Sequence, residues 1–140
     1  MTGGEIFRTV NQYVGGEKFG VALNPGHCIG MDEWSNSPVW KDSEIKIQNG
    51  LHFQCDIVAC GKDPVMNAIC EDTIVIADEK LREEVREKYP ETWERIEKRQ
   101  TFMRETLGIL LHDDVLPMSG LNGVMFPFML DRSRIFALKR

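Results

Sequence analysis

Apolar positions along this chain recur with two different periods, and the changes of period mark out its elements. Ile6, Val10, Tyr13 and Val14 fall at helical spacing, and Gly15-Gly16 follows as the kind of stop that ends helices, which predicts a short amphipathic helix. Asn24-Pro25-Gly26 then turns the chain just before His27, because Pro fixes φ and Gly permits positive φ. Residues 45–47 and 51–57 alternate with period two. The Asn49-Gly50 pair between them favours a type I′ turn, so the pattern predicts a hairpin there. A further strand is predicted over residues 69–77, where Ile74-Val75-Ile76 is β-branched throughout.

From Asp78 onward the helical period returns. Leu81, Val85 and Tyr89 recur every four residues behind Asp78 as a candidate N-cap. Pro90 interrupts this pattern and opens another helix, in which Trp93, Ile96, Gln100, Met103 and Leu107 follow at three- and four-residue intervals before Gly108. The other face of that helix pairs Glu91 with Arg95 and Glu94 with Lys98 at i,i+4, the pattern of a solvated surface. Residues 112–140 hold Pro117, Gly120, Gly123 and Pro127 among Met and Phe, and read as irregular. Within them Val124, Met125, Phe126, Phe128, Met129 and Leu130 are too apolar to face water and are expected to pack on the domain or on a partner. The expectation is an α+β protein, with a mainly antiparallel sheet and helices on one face. It divides into a domain over residues 1–109 and a C-terminal extension over 110–140.

Composition narrows the class without naming a function. A chain of 140 residues is one compact domain, and such a domain buries roughly 68–70% of its unfolded surface. With 42% hydrophobic and 28% charged residues it has the make-up of an ordinary globular protein rather than a disordered one. No apolar run approaches the roughly 20 residues of a membrane-spanning helix. Nor do the first residues look like a signal peptide, which reads as a cytoplasmic protein with no membrane partner. A net charge of -5 works against binding to nucleic acid, which depends on Lys and Arg displacing counterions. Cys28, Cys55, Cys60 and Cys70 contain no C-x-x-C pair and read as buried thiols.

Chemistry enters through strand alternation. In the strand from Leu51, the side chains of Leu51, Phe53, Cys55 and Ile57 share one face, and His52, Gln54 and Asp56 share the other. The following strand groups Glu71, Thr73 and Val75 against Cys70, Asp72, Ile74 and Ile76. Adjacent pairing of these strands would set Asp56 beside Glu71. If His27 converges on them, an imidazole and two carboxylates suit a divalent cation such as zinc, manganese, cobalt or iron. Taken singly, Asp56 could simply end a strand, Glu71 could pair with a lysine and His27 could hydrogen-bond a carbonyl.

Three blocks in order resemble the pita-bread metallopeptidase family, which includes methionine aminopeptidase, Xaa-Pro aminopeptidase, prolidase and the metal-free creatinase. Gly26-His27-Cys28-Ile29-Gly30 resembles its G-H-x-I-G block. Gly50-Leu51-His52-Phe53-Gln54-Cys55-Asp56 is similar to its G-M-x-F-T-I-E strand, with Asp56 where a metal-binding Glu falls. Glu71-Asp72-Thr73-Ile74-Val75-Ile76 resembles its E-D-T-V-x-V strand, in which the Glu bridges two metals. The likeness runs from about residue 5 to residue 78 and concerns the C-terminal half of the family's fold alone.

The resemblance implies a curved, mainly antiparallel sheet with His27, Asp56 and Glu71 as metal ligands, and with His27 and Glu71 as catalytic residues. Trp34, where peptidase members carry a second histidine, and His52 are then the candidate substrate-binding residues. It implies removal of N-terminal residues from peptides as the ancestral activity, with a pair of divalent metals as cofactor. The departures are as informative. The family's two Asp ligands precede the His, and this chain has no Asp before Asp32, so a dinuclear centre needs ligands from elsewhere. Asp56 is also one methylene shorter than the Glu it replaces. The expected partners are therefore a peptide or small-molecule substrate, and either a second copy of the chain or a protein supplying the N-terminal half. Three other readings stand beside this one: a metal-free creatinase-like site with His27 as acid or base, a catalytically inactive binding or dimerisation module, and an interaction domain unrelated to peptidases.

Overall fold

The first helix, α1 (Gly3–Val14), begins at a reciprocal cap. Thr2 Oγ1 accepts the Glu5 N–H at 3.3 Å while the Glu5 carboxylate accepts the Thr2 N–H at 2.7 Å, which satisfies two backbone donors at the start of the helix. Gly3 is required by close approach, since a Cβ there would lie 1.8 Å from the Pro38 carbonyl oxygen. The computed structural model describes residues 1–21, 23–61, 67–124, 131 and 133–139, with 34, 67 and 68 described by their backbone alone.

Four antiparallel strands form an open sheet in the spatial order β1 (His27–Cys28), β2 (His52–Cys60), β3 (Asn67–Ile76) and β4 (Val115–Pro117). The long β2–β3 pair is its centre, with the short β1 and β4 laid along either side. Between β3 and β4 the chain forms α2 (Glu79–Lys88) and α3 (Pro90–Thr101), the latter running on through a π-helical turn, Phe102–Thr106. The protein is thus α+β. Asp78 caps α2 by accepting the Leu81 N–H at 2.9 Å, and Pro90 opens α3, both at the positions that the sequence signals.

The core lies between α2, α3 and one face of the sheet. Ala77, Trp93, Ile96 and Leu116 form a buried cluster, against which Val75, Leu81, Val85 and Met118 pack. All five residues of the predicted stripe, Trp93, Ile96, Gln100, Met103 and Leu107, are buried. Gln100 is polar at such a position because its amide donates to the Val115 carbonyl at 2.9 Å, tying α3 to β4. On the outer face Lys98 and Glu94 pair at 2.7 Å, whereas Arg95 turns to Thr92 rather than to Glu91.

Three expectations need correction. Residues 45–47 do not pair with β2 across Asn49-Gly50. They lie against the N-terminus instead, through a Thr2–Lys46 bridge and the bonds Gly3 N–H to Ile45 and Ile47 N–H to Met1. The turn at Gly50 exists, with φ 80, but it delivers the chain into β2 from a segment paired elsewhere. Residues 115–117 are not irregular. Their register against β3 (Ile74 opposite Pro117) makes them an outer strand, where a proline is tolerated. Finally, the thiols are not all buried: Cys28 and Cys55 are half-buried and Cys60 and Cys70 exposed, all four being free. Cys60 and Cys70 stand on the distal part of the β2–β3 ribbon, which reaches past the short flanking strands. The predicted loop at 61–64 and the apolar run at 124–130 fall largely outside the described residues. Among the described residues no helix is long and apolar enough to cross a membrane.

Candidate functional site

His27 reaches the sheet through a turn that demands glycine. Gly26 has φ 143, and a Cβ there would meet the Phe53 ring at 2.3 Å, so both backbone conformation and space exclude a side chain. Ser37 Oγ donates to the Gly26 carbonyl at 2.7 Å, and the Cys28 N–H donates to Asn36 at 2.7 Å, which folds residues 29–36 back over β1. β1 then pairs with β2 so that His27 stands directly opposite Gln54.

The imidazole is buried, with 9% of its side chain exposed. Its Nδ1 lies 3.0 Å from the Cys28 carbonyl oxygen. A carbonyl can only accept, so Nδ1 carries a proton; Nε2 then presents a lone pair in the neutral ring and a second N–H in the protonated one. Nε2 faces Asp56 Oδ2 at 3.9 Å. The other carboxylate oxygen, Asp56 Oδ1, is buried with no hydrogen-bond partner. With the ring neutral, Nε2 and Oδ2 are two acceptors facing each other, an arrangement that is favourable only with a proton or a cation between them.

The β2–β3 register brings Glu71 directly opposite Asp56, as the alternation predicts. Like charges so placed repel, and Gln54 takes up part of the strain by donating its amide to Glu71 Oε2 at 2.8 Å. His27, Gln54, Asp56 and Glu71 line an open depression of about 340 Å³, together with Leu23 and Glu33. Glu33 enters from the turn of 3-10 helix Glu33–Ser35 that the folded-back loop forms. Alternation cannot reveal it, because a loop has no period. The nearest sequence signal is its place a few residues behind the His27 block.

His52 is on the same face of β2 but exposed, opposite Val75, and does not line the depression. Trp34 follows Glu33 in the same turn, and its side chain lies outside the described residues. On the opposite face, burial, and then the charges of Asp72, Asp56 and Glu71, push the Cys70 thiol up. Burial takes Cys55 to about 11, so that thiol is inert at neutral pH.

An imidazole and carboxylates are the right donors for a borderline or hard divalent ion. His27 and Asp56 supply two facing positions. Among the described residues, however, no group of three His, Cys, Asp or Glu side chains forms a ready metal cluster, since Glu71 is drawn toward Gln54. No family model, curated protein or solved structure matches the chain.

Proposed function

We propose that this chain is a pita-bread-metallopeptidase-like half-domain with a degenerate metal centre, in which His27 and Asp56 hold a divalent cation beside Glu71. The observation that carries this reading is the facing pair, His27 Nε2 and Asp56 Oδ2 at 3.9 Å, backed by a buried Asp56 Oδ1 without a partner. The order of the blocks supports it too: His27, Asp56 and Glu71 stand on successive strands of an antiparallel sheet. When bound, the ion supplies Lewis acidity toward a peptide carbonyl. The chain's own residues orient it: the Cys28 carbonyl fixes the His27 tautomer, and Gln54 holds one oxygen of Glu71. Aminopeptidase-type removal of N-terminal residues belongs to a complete centre, so the isolated chain should not turn over peptides. The missing carboxylates come from a second copy or from a partner that supplies the other half.

Calorimetric titration with manganese and cobalt tests this. Wild type should bind at one site, and His27→Ala and Asp56→Asn should each bind at least about tenfold more weakly. Equal affinity in all three, or no binding at all, would refute the cation site. A second reading, an inactive binding or dimerisation module, draws on Trp34 standing where peptidase members carry histidine. It predicts self-association that is indifferent to manganese and to both substitutions.

A further inference from the structure

We propose that Asn49-Gly50 is a site of spontaneous covalent modification, at which Asn49 loses its amide nitrogen as ammonia, and that the fold withholds the same reaction from the chain's other Asn-Gly pair, Asn122-Gly123. In either pair the main-chain nitrogen of the glycine can attack the asparagine Cγ, since no glycine Cβ screens it. The new N–Cγ bond closes a succinimide ring, the Cγ–Nδ2 bond breaks, and the displaced nitrogen leaves as ammonia with the proton from the glycine N–H. Water then opens the ring at one carbonyl or the other, leaving aspartate or isoaspartate. Water is the sole co-reactant, so the two pairs are told apart by how readily each reaches the reacting geometry.

Their local backbones are alike, with φ 80 at Gly50 and φ 70 at Gly123, but their surroundings differ. Asn49 and Gly50 are both exposed, and a Cβ added at Gly50 would meet nothing within 4 Å. The Gly50 N–H donates to the Ile76 carbonyl at 2.7 Å. That bond lies at the end of the β2–β3 ladder, where local opening uncovers little buried surface. The bond that holds the Asn49 side chain is made at Oδ1, which accepts the Asp78 N–H at 2.8 Å. A donor at that oxygen does not oppose the reaction, because negative charge gathers there as the glycine nitrogen attacks.

Asn122 is 3% exposed, and its amide is engaged at both ends: Oδ1 accepts the Ser119 N–H at 2.7 Å and Nδ2 donates to the Thr73 carbonyl at 3.1 Å. The Gly123 N–H is held at 2.7 Å by the Asp72 carboxylate, a charged acceptor that makes a stronger bond than a carbonyl does. A Cβ at Gly123 would lie 2.6 Å from Ile109 Cδ1, so this segment has little room to turn. Reaction at Asn122 therefore breaks the bonds to Thr73 and Asp72 inside a crowded, buried segment, whereas reaction at Asn49 needs only the opening of a ladder end. The modification bears on the fold because Asn49 ties the sheet to α2 through Asp78, and isoaspartate adds a methylene to the main chain just before β2.

The test incubates the full chain in mildly alkaline buffer, native and in concentrated urea, and maps both Asn-Gly peptides by mass spectrometry for conversion of amide to acid and for isoaspartate. The native chain should convert Asn49 at least about fivefold faster than Asn122, and urea should bring the two rates within about twofold of each other. A smaller native difference, or a native chain in which neither pair converts while the urea-treated chain does, overturns the proposal. So does a difference that persists in urea beyond twofold, since its cause would then be the neighbouring residues and not the fold.

Discussion

One face of the sheet is finished in two different ways along its length. At the end marked by Val75 and Leu116, opposite each other in register, α2 and α3 cover it with Trp93, Ile96, Leu81 and Val85. Polar groups at that end are matched: Gln100 to Val115, Arg99 to the Pro117 carbonyl, and Arg82 to both Ala77 and Asp114. Two and four residues back along β3, Thr73 and Glu71 share the same face by alternation. There the sheet meets a loop instead of a helix, and among the described residues Asp56 Oδ1 is left without a hydrogen-bond partner while Glu71 is set opposite another acid. The covered end has one exception, the buried Trp93 indole N–H, but a neutral donor lying under the Arg86 guanidinium is a smaller debt than a stranded carboxylate oxygen. Among the described residues the unpartnered carboxylate oxygen lies at one end only, and it marks where stability has been given up for something else.

The sharpest way to break this contrast is to cut into each end. Ile96→Ala empties a site that is 1% exposed and should cost about 2–5 kcal/mol, read from the urea midpoint; a loss below about 1 kcal/mol would mean that the helices do not anchor the covered end. Asp56→Asn should do the opposite. It removes a buried charge whose Oδ1 has no hydrogen-bond partner and offers an amide donor to His27 Nε2, so stability should rise by about 1 kcal/mol in the absence of cation. A loss instead would make His27 and Asp56 a structural ion pair and erase the difference between the ends.

The smallest effect concerns the opposite face and serves as a control. Burial raises the Asp72 carboxyl above its ordinary 3.8, the hydrogen bond it accepts from the Gly123 N–H pulling the other way. A raised folded-state value means that its contribution is fully present below the unfolded value and is lost as pH rises through the folded one. Melting temperature should therefore carry a small downward trend from about pH 4 toward neutrality from this group, and Asp72→Asn, which keeps the acceptor, should remove it. An unchanged trend would assign it to the other carboxylates.

The sequence made legible whatever has a period. The stripe from Trp93 to Leu107 follows from a spacing of 3.6 and the grouping of Gln54 with Asp56 on one strand face from a spacing of 2, and the pairing of β2 with β3 then sets Asp56 opposite Glu71. The choice of partner was not legible. Residues 45–47 alternate as a strand should, yet their neighbour is the segment before α1, a contact that no local pattern encodes. β4 is three residues long, too short to display a period, and Glu33 lies in a turn that has none. Alternation places Asp56, Glu71 and Gln54 on one side, but the contribution of the loop becomes visible only once residues 29–36 are seen folded back.

The bond from Gln54 to Glu71 spends a single oxygen of the acid and joins two side chains, not two main chains. Freeing that acid therefore requires rotation about side-chain torsions while the strand ladder stays intact. Signals that report the ladder, such as far-ultraviolet dichroism or main-chain amide exchange, would pass over such an event. The carboxamide protons of Gln54 would register it directly, and are the natural nuclear magnetic resonance probe for whatever enters there.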